Sequence, residues 1–469
     1  MIFKHAKQGG GVKAPSLITH EPPLFIDLGA AYKYSPALAK ALTFKNMFAD
    51  PGAEDDDKFY QAYRREEGLI YVPPAAVPPC DDDRRSRGIP VQFGGTFKAK
   101  DAEQQRVVDE STSLLLAGRN HIIEAPTGFG KTYVGSAIAL NCKRSTLIVV
   151  NKEMIIGQWV EAMEVVLGLH RTDIGLIQGD KCNVQGRPVV IAMLQSLCKP
   201  GRYPSWVYEA FGLAIFDEVH RLGSDYFTQV MWNLSCRSMI GLSARPERKD
   251  RRERLFKMFI GPTLVKSEAM PLPFKVLAVD TPYKLPRRLV VNKLTKEKKL
   301  TKVEPPHGRT VMLEKGMIKC HGRTQIAVKL TCISAERGRR IILFFTTLDY
   351  MKAVGAEIAK VLGAGEVGYL TGGMKEAARQ EAAEKTVLCT TYQMTSEAVN
   401  LPWFDTAVLV SPKSDVLQVV GRILRPYEGK KDPTVIDLVD RDSTVLTGFH
   451  NQRMKFYKSK QAPVKKITI

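Results

Sequence analysis

Two series of short apolar runs decide what this chain can fold into. HIIEA from His121, TLIVV from Thr146, PVVIA from Pro188 and LAIF from Leu213 are separated by helical stretches. A second series follows the same plan: RIILFF from Arg340, VGYL from Val367, TVLCT from Thr386, TAVLV from Thr406 and TVIDLV from Thr434. A strand that is apolar throughout has no solvent face, so helices must cover both sides of its sheet. That is the signature of parallel α/β architecture, and the two series predict two such domains of similar size. VPPAAVPPCDDDRRSR, residues 72–87, is proline-rich and then charged, and reads as a linker. The boundaries that follow are residues 1–88 for a small α+β accessory unit with its linker, 89–273 for the first α/β domain and 274–469 for the second. The second carries a basic stretch, residues 284–309, that reads as strand-poor, and a basic tail.

EAPTGFGKT, residues 124–132, gives the first domain its chemistry. It follows the HIIE strand and precedes a helical stretch, residues 133–140. Gly128 and Gly130 permit a tight turn, and a helix N-terminus offers unsatisfied N–H donors and partial positive charge to an anion. Lys131 then reaches the β- and γ-phosphates of a nucleotide, and the Thr132 hydroxyl ligates Mg²⁺. An ordinary glycine turn would share this pattern, so the chemistry needs partners elsewhere. LAIFDEVH supplies acids at a strand end: Asp217 to hold Mg²⁺ and Glu218 to orient or deprotonate water. NKEM, residues 151–154, has Met154 where a guanine-reading motif needs Asp, and it precedes the acidic pair, which excludes GTP specificity. QVVGRILRPY places Arg422 and Arg425 three residues apart, on one face of a predicted helix. They are candidates to stabilise the charge of a phosphoryl transition state.

Charge points to the partner. Lys and Arg number 69 against 49 Asp and Glu, a formal net charge of +20, which suits a polyanion such as nucleic acid. The eight cysteines lack C-x-x-C spacing and read as free thiols of a reducing compartment. No apolar run has the length of a signal core or a membrane span. The expectation is an intracellular, soluble, monomeric protein, in host cytoplasm if phage-encoded.

From residue 97 onward the motifs resemble, in order, those of superfamily 2 helicases. APTGFGKT is similar to motif I, TLIVVNKEMIIGQW to motif Ia, GLIQGD and VVIAMLQSL to motifs Ib and Ic, and DEVH to motif II. GLSARPERKD resembles motif III, IILFFTTLDY motif IV, TTYQMTSEAVNLP motif V and QVVGRILRP motif VI. The forms of motifs III and V most resemble the DNA helicase group containing XPB, RecG and UvsW-type branch-migration helicases of phages and large viruses. ALTFKN, residues 41–46, resembles the N-terminal domain of the UvsW-like members.

That resemblance implies two tandem RecA-like domains, ATP and Mg²⁺ as cofactors, and roles for individual residues. Gln104 or Gln105 reads adenine, and Phe97 either stacks on it or packs the core. Pro126, Thr127, Gly128, Phe129, Gly130, Lys131 and Thr132 cradle phosphate. His220 links the γ-phosphate region to motifs III and VI, Ser243 and Arg245 belong to the coupling element, and Glu397 and Asn400 flank the nucleotide. Gly179, Gln195, Thr346, Thr371 and Thr391 are the candidate contacts to DNA phosphate and sugar, since a motor on DNA must ignore sequence. Arg245 stands in place of the family's usual Thr, Ala398 of its Gly and Asn400 of its Asp, which bears on coupling more than on hydrolysis. The leading expectation is an ATP-dependent DNA helicase or translocase acting on branched, forked or single-stranded DNA in recombination, replication or repair. The alternatives are a duplex translocase or transcript-release ATPase, an RNA helicase, and an ATP-switched nucleic-acid scaffold.

Overall fold

The computed structural model describes residues 21–45, 59–223, 225–247, 252–268, 272–291, 298–304, 311–394, 401–425 and 427–467. The chain divides into two compact units, Met1–Ala269 and Met270–Ile469. All eight cysteines are free, and among the described residues no helix is long and apolar enough to cross a membrane.

The first unit begins with a small α+β layer. Strands β1 (Phe25–Ile26), β2 (Ala30–Lys33), β5 (Arg64–Glu66) and β6 (Leu69–Val72) form an antiparallel sheet in the order β1-β2-β6-β5, and β3 (Thr43–Lys45) pairs with β4 (Phe59–Gln61). The helix Pro36–Ala41 starts on a Ser35 cap with proline in its first turn, where a missing N–H costs nothing. Among the described residues the core of this layer is shared with the larger domain. Ile26, Leu42, Ile70 and Val72 cluster with Leu255 and Met258 of the helix Glu253–Ile260. Arg64 reinforces the junction, donating to Gln229 Oε1 at 3.0 Å and lying 5.3 Å over the Trp232 ring.

Residues 72–87 are not the loose tether their prolines suggest. Ala76 and Val77 are buried, Asp83 pairs with Arg85 at 2.8 Å, and Ser86 N donates to Ser235 O at 2.7 Å. Pro74 opens a short 3-10 turn, Pro74–Ala76, and Ala76 and Val77 fill gaps against the larger domain.

That domain is an eight-stranded sheet of β7 (His121–Glu124), β8 (Thr146–Val150), β9 (Ile174–Gln178), β10 (Lys181–Cys182), β11 (Val189–Met193), β12 (Leu213–Asp217), β13 (Ser238–Ser243) and β14 (Leu264–Lys266), in the order β10-β9-β11-β8-β12-β13-β7-β14. Every pairing is parallel except that of the edge strand β10. Leu147 and Val149 of β8 join one apolar cluster, while Ile148 and Val150 join another. Successive side chains thus enter opposite faces, and both faces are buried.

The second unit repeats the architecture with β15 (Lys275–Asp280), β18 (Ile341–Phe345), β19 (Val367–Leu370), β20 (Val387–Thr391), β21 (Thr406–Leu409), β22 (Thr434–Val439) and β23 (Val464–Ile467), ordered β19-β20-β18-β21-β22-β15-β23 and parallel throughout. The expectation of a strand-poor basic stretch is corrected here. β16 (Arg287–Val291) and β17 (Lys298–Lys302) form an antiparallel pair that sets Leu289 opposite Leu300. Alternating Leu, Val and Thr carry β propensity despite the flanking cations. The pair is anchored at its base, where Lys302 Nζ lies 2.7 Å from Asp442 Oδ1 and Thr444 N donates to Glu304 Oε1 at 2.6 Å.

Below this sheet Arg323 is wholly buried. Its guanidinium donates to both Asp440 oxygens at 2.8 and 3.0 Å, to Tyr350 Oη at 2.7 Å and to Val410 O at 2.7 Å. Removing the cation leaves the Asp440 charge buried without its partner. Arg323→Leu is therefore expected to destabilise the second unit by about 3–5 kcal/mol. Hydrogen exchange of β21 and β22 in the full chain measures this; wild-type protection would contradict it.

Candidate functional site

The glycine turn is built as its sequence requires. Ala125 N donates to Ser243 O at 3.0 Å, which fixes the exit from β7, and Phe129 N closes a turn on Pro126 O at 3.2 Å. Gly128 and Gly130 both take φ of +86°, a region that side-chain-bearing residues avoid. Gly130 caps the helix Lys131–Cys142, whose first N–H groups have no intrahelical acceptor. Lys131 Nζ folds back onto the carbonyls of Ala125 and Pro126, at 3.2 and 3.4 Å. These are neutral acceptors, and an anionic phosphate binds an ammonium more strongly. Pro126, Thr127 and Thr132 are half-buried around the turn, Gly128 is exposed and Phe129 is buried.

Parallel pairing brings the acids to the same edge. β12 lies beside β13, and β13 beside β7, with Asp217 opposite Leu242 and Ser243 opposite Glu124. The carboxylates therefore emerge two strands from the glycine turn. Trp159 Nε1 donates to Asp217 Oδ2 at 3.1 Å. Its indole is buried against the turn's helix, where a Cβ on Gly135 would fall 2.7 Å from its ring. Sequence reasoning quoted Trp159 within motif Ia but gave it no role, because nothing in chain spacing reveals a partner in another strand. Burial, aggravated by the Glu218 charge, pushes the Asp217 carboxyl up from its ordinary range. Burial also works against the charge on Glu218, but His220 and Lys131 outweigh it and hold that carboxyl low. Glu218 sits at φ +51°, an uncommon backbone state for a residue with a side chain.

His220 connects these acids to the neighbouring strand. Its Nδ1 lies 3.2 Å from Glu218 Oε2 and 3.1 Å from Ser243 Oγ. Ser243 Oγ in turn accepts from Arg245 N at 3.1 Å. Arg245 contributes to this path through its backbone, so the exchange of the usual Thr for Arg leaves the link intact.

The two glutamines separate clearly. Gln104 is buried and braces the turn: Nε2 donates to Phe129 O at 2.8 Å, and Oε1 accepts from Lys100 N at 2.9 Å. Gln105 is exposed and donates to Asp109 Oδ1 at 2.8 Å. Phe97 is partly buried and packs against the domain core.

Residues 99–248 match the family model described as Type III restriction enzyme, res subunit. A protein of Acanthamoeba polyphaga mimivirus named as an ATP-dependent RNA helicase is 27% identical over 401 residues, covering 81% of this chain and 72% of the relative. The DNA 3'-5' helicase XPB of Mycobacterium tuberculosis is 26% identical over 339 residues, covering 70% of this chain and 59% of its own. The chain is thus similar, over most of its length, to proteins named as helicases. In fold it resembles the helicase domain of Pyrococcus furiosus Hef, with a TM-score of 0.50 and 15% identity over 76% of this chain and 97% of that one. Its tandem parallel sheets are therefore RecA-like in fold, and its likeness to named helicases supports an ATP-dependent activity.

The second unit carries the arginine pair with one correction. The helix Leu417–Ile423 holds Arg422, but it ends before Arg425. The pair therefore does not share a helix face as its spacing suggested, because the helix is only two turns long. Burial and the nearby Arg425 charge disfavour the Arg422 cation, and burial does the same to Arg425. Both guanidiniums are held where an anion would lower their energy. Glu397, Ala398 and Asn400 lie outside the described residues.

The candidate nucleic-acid residues sit at strand ends of their own units. Gly179 follows β9, donates from N to Ser196 Oγ at 2.9 Å and accepts from Tyr203 Oη at 2.5 Å. Gln195 lies in the short helix Leu194–Leu197 after β11 and donates to Asn151 O at 2.8 Å. Thr346 follows β18 and is exposed, and Thr371 follows β19 and is half-buried. Thr391 ends β20 with 8% exposure, leaving little of its hydroxyl side for a phosphate. Trp159→Phe keeps the packing and removes the bond to Asp217, and is expected to slow ATP turnover roughly tenfold, as for a lost hydrogen bond to a charged group. Steady-state kinetics beside a thermal melt test this; unchanged turnover would refute it.

Proposed function

We propose that this chain is an Mg²⁺-dependent motor on DNA that remodels branched or forked substrates. The observation that carries the motor is the register of β7, β13 and β12, which sets a phosphate-binding turn beside an acidic pair. Thr132 and Asp217 are hard oxygen donors that fit Mg²⁺, an ion that takes few protein ligands and keeps several waters. When bound, the ion neutralises part of the triphosphate charge. Lys131 holds phosphate, Glu218 orients water and accepts its proton, and Arg422 and Arg425 stabilise the charge that spreads in the transition state. His220 and Ser243 relay the state of the acids to the end of β13.

DNA is favoured over RNA by DEVH with GLSARP, since the RNA group usually carries D-E-A-D with S-A-T. The XPB relative is named as a DNA helicase and the mimivirus relative as an RNA helicase, so the substrate needs direct test. The basic β16–β17 pair, with Arg287 and Arg288 exposed, supplies cations for phosphate.

Steady-state ATPase with no nucleic acid, single-stranded DNA, duplex, a four-way junction and RNA should show strongest stimulation by the junction. Stimulation by RNA alone would overturn the DNA reading, and none by anything would favour an ATP-switched scaffold. Lys131→Ala should abolish turnover and leave DNA binding. Affinity should fall steeply with salt, and Arg287→Ala with Arg288→Ala should make that slope shallower by about one to two units; a salt-independent affinity would contradict ionic contacts.

A further inference from the structure

One ammonium joins two motif segments of the second unit. Lys430 Nζ donates to Pro402 O at 2.6 Å and to Arg425 O at 2.9 Å. Pro402 closes the motif V segment, and Arg425 is the second arginine of motif VI. The helix Leu417–Ile423 is short and ends on Leu424 with no glycine cap. Arg425 lies just past that end, so its carbonyl has no place in the helix ladder and needs a donor from elsewhere, and a cation close to a helix C-terminus is favourable. Trp403, next to Pro402, packs edge-on against Tyr427 at 6.1 Å and donates to Ala383 O at 3.1 Å. The chain on either side of the ammonium is therefore held in place. Burial pulls the Lys430 amine down to about 8, with Asp405 opposing and Arg425 adding to the fall.

We propose that Lys430 is a positioning residue that ties the end of motif V to the backbone of Arg425, so that movement of one segment sets the placement of the Arg425 guanidinium. This rests on the reading of Arg425 as a residue that stabilises transition-state charge. A side chain without donors releases both carbonyls together. The guanidinium is then no longer aimed, while the glycine turn of the first unit is left unaltered. The signature is a loss in kcat with little change in KM.

The test is a double-mutant cycle in the full chain, using Lys430→Met, Arg425→Gln and the pair, with DNA-stimulated ATPase, KM for ATP, DNA affinity and thermal melting as readouts. Lys430→Met is expected to lower stimulated kcat about tenfold, with KM and DNA affinity within about twofold and the melt unchanged. The double variant should be no slower than Arg425→Gln alone, and Lys430→Arg should recover part of the rate because a guanidinium can bridge both carbonyls. If Lys430→Met melts early, the cycle is run at a temperature at which the melt shows every variant folded. Wild-type kcat in Lys430→Met beside a slow Arg425→Gln sinks the positioning role alone. Multiplicative losses in the double variant also sink it. Wild-type kcat in Arg425→Gln removes the reading of Arg425 itself, and the proposal with it.

Discussion

Burial of both faces of a parallel sheet is the constraint on which the rest depends. Strands such as β8 and β18 send successive side chains into opposite apolar layers. Neither face is left for chemistry, so polar groups that must meet a substrate are confined to the sheet's edges, above all where strands turn into loops. The glycine turn, Asp217, Glu218 and Ser243 all stand at such strand ends of the first unit. Their mutual placement is set by main-chain register, which a change in any one side chain does not disturb.

Within that frame the site is tuned by a small imbalance of charge. Two adjacent carboxyls compete for ionisation in a poorly solvated place, and their environments push them apart. Lys131 favours the charge on both, and Trp159 gives Asp217 one neutral donor, while Glu218 also has His220 and Arg221 nearby. Glu218 is thereby held in its charged form more firmly than Asp217. A cation beside Asp217 would favour that carboxylate and oppose the effect of burial.

Much of this was legible in the sequence, and the reasons for the misses are physical. Uninterrupted apolar runs marked the central strands, and the ordered motifs marked the turn, the acids and the arginines. β9 escaped because Gly175 and Gln178 break its apolar run. β13 was visible only as the start of a motif. The β16–β17 pair hid beneath its lysines and arginines, since charge dominates the reading of a segment whose alternation is weak. Arg425 was placed on a helix by spacing, yet spacing carries no information about where a short helix stops. Trp159 and the brace made by Gln104 depend on contacts between distant segments, and only the folded register brings those together.

The shared core of the first unit has a consequence for how the chain can be divided. Leu255 and Met258 lie on a helix far downstream of the α+β layer, yet they are buried by Ile26, Leu42, Ile70 and Val72. A polypeptide begun at residue 89 would carry the motor's motifs with that helix stripped of its cover. Its wetted leucine and methionine would form a sticky stripe beside Trp232, inviting self-association. The accessory layer is in this sense a lid on the larger domain's own interior.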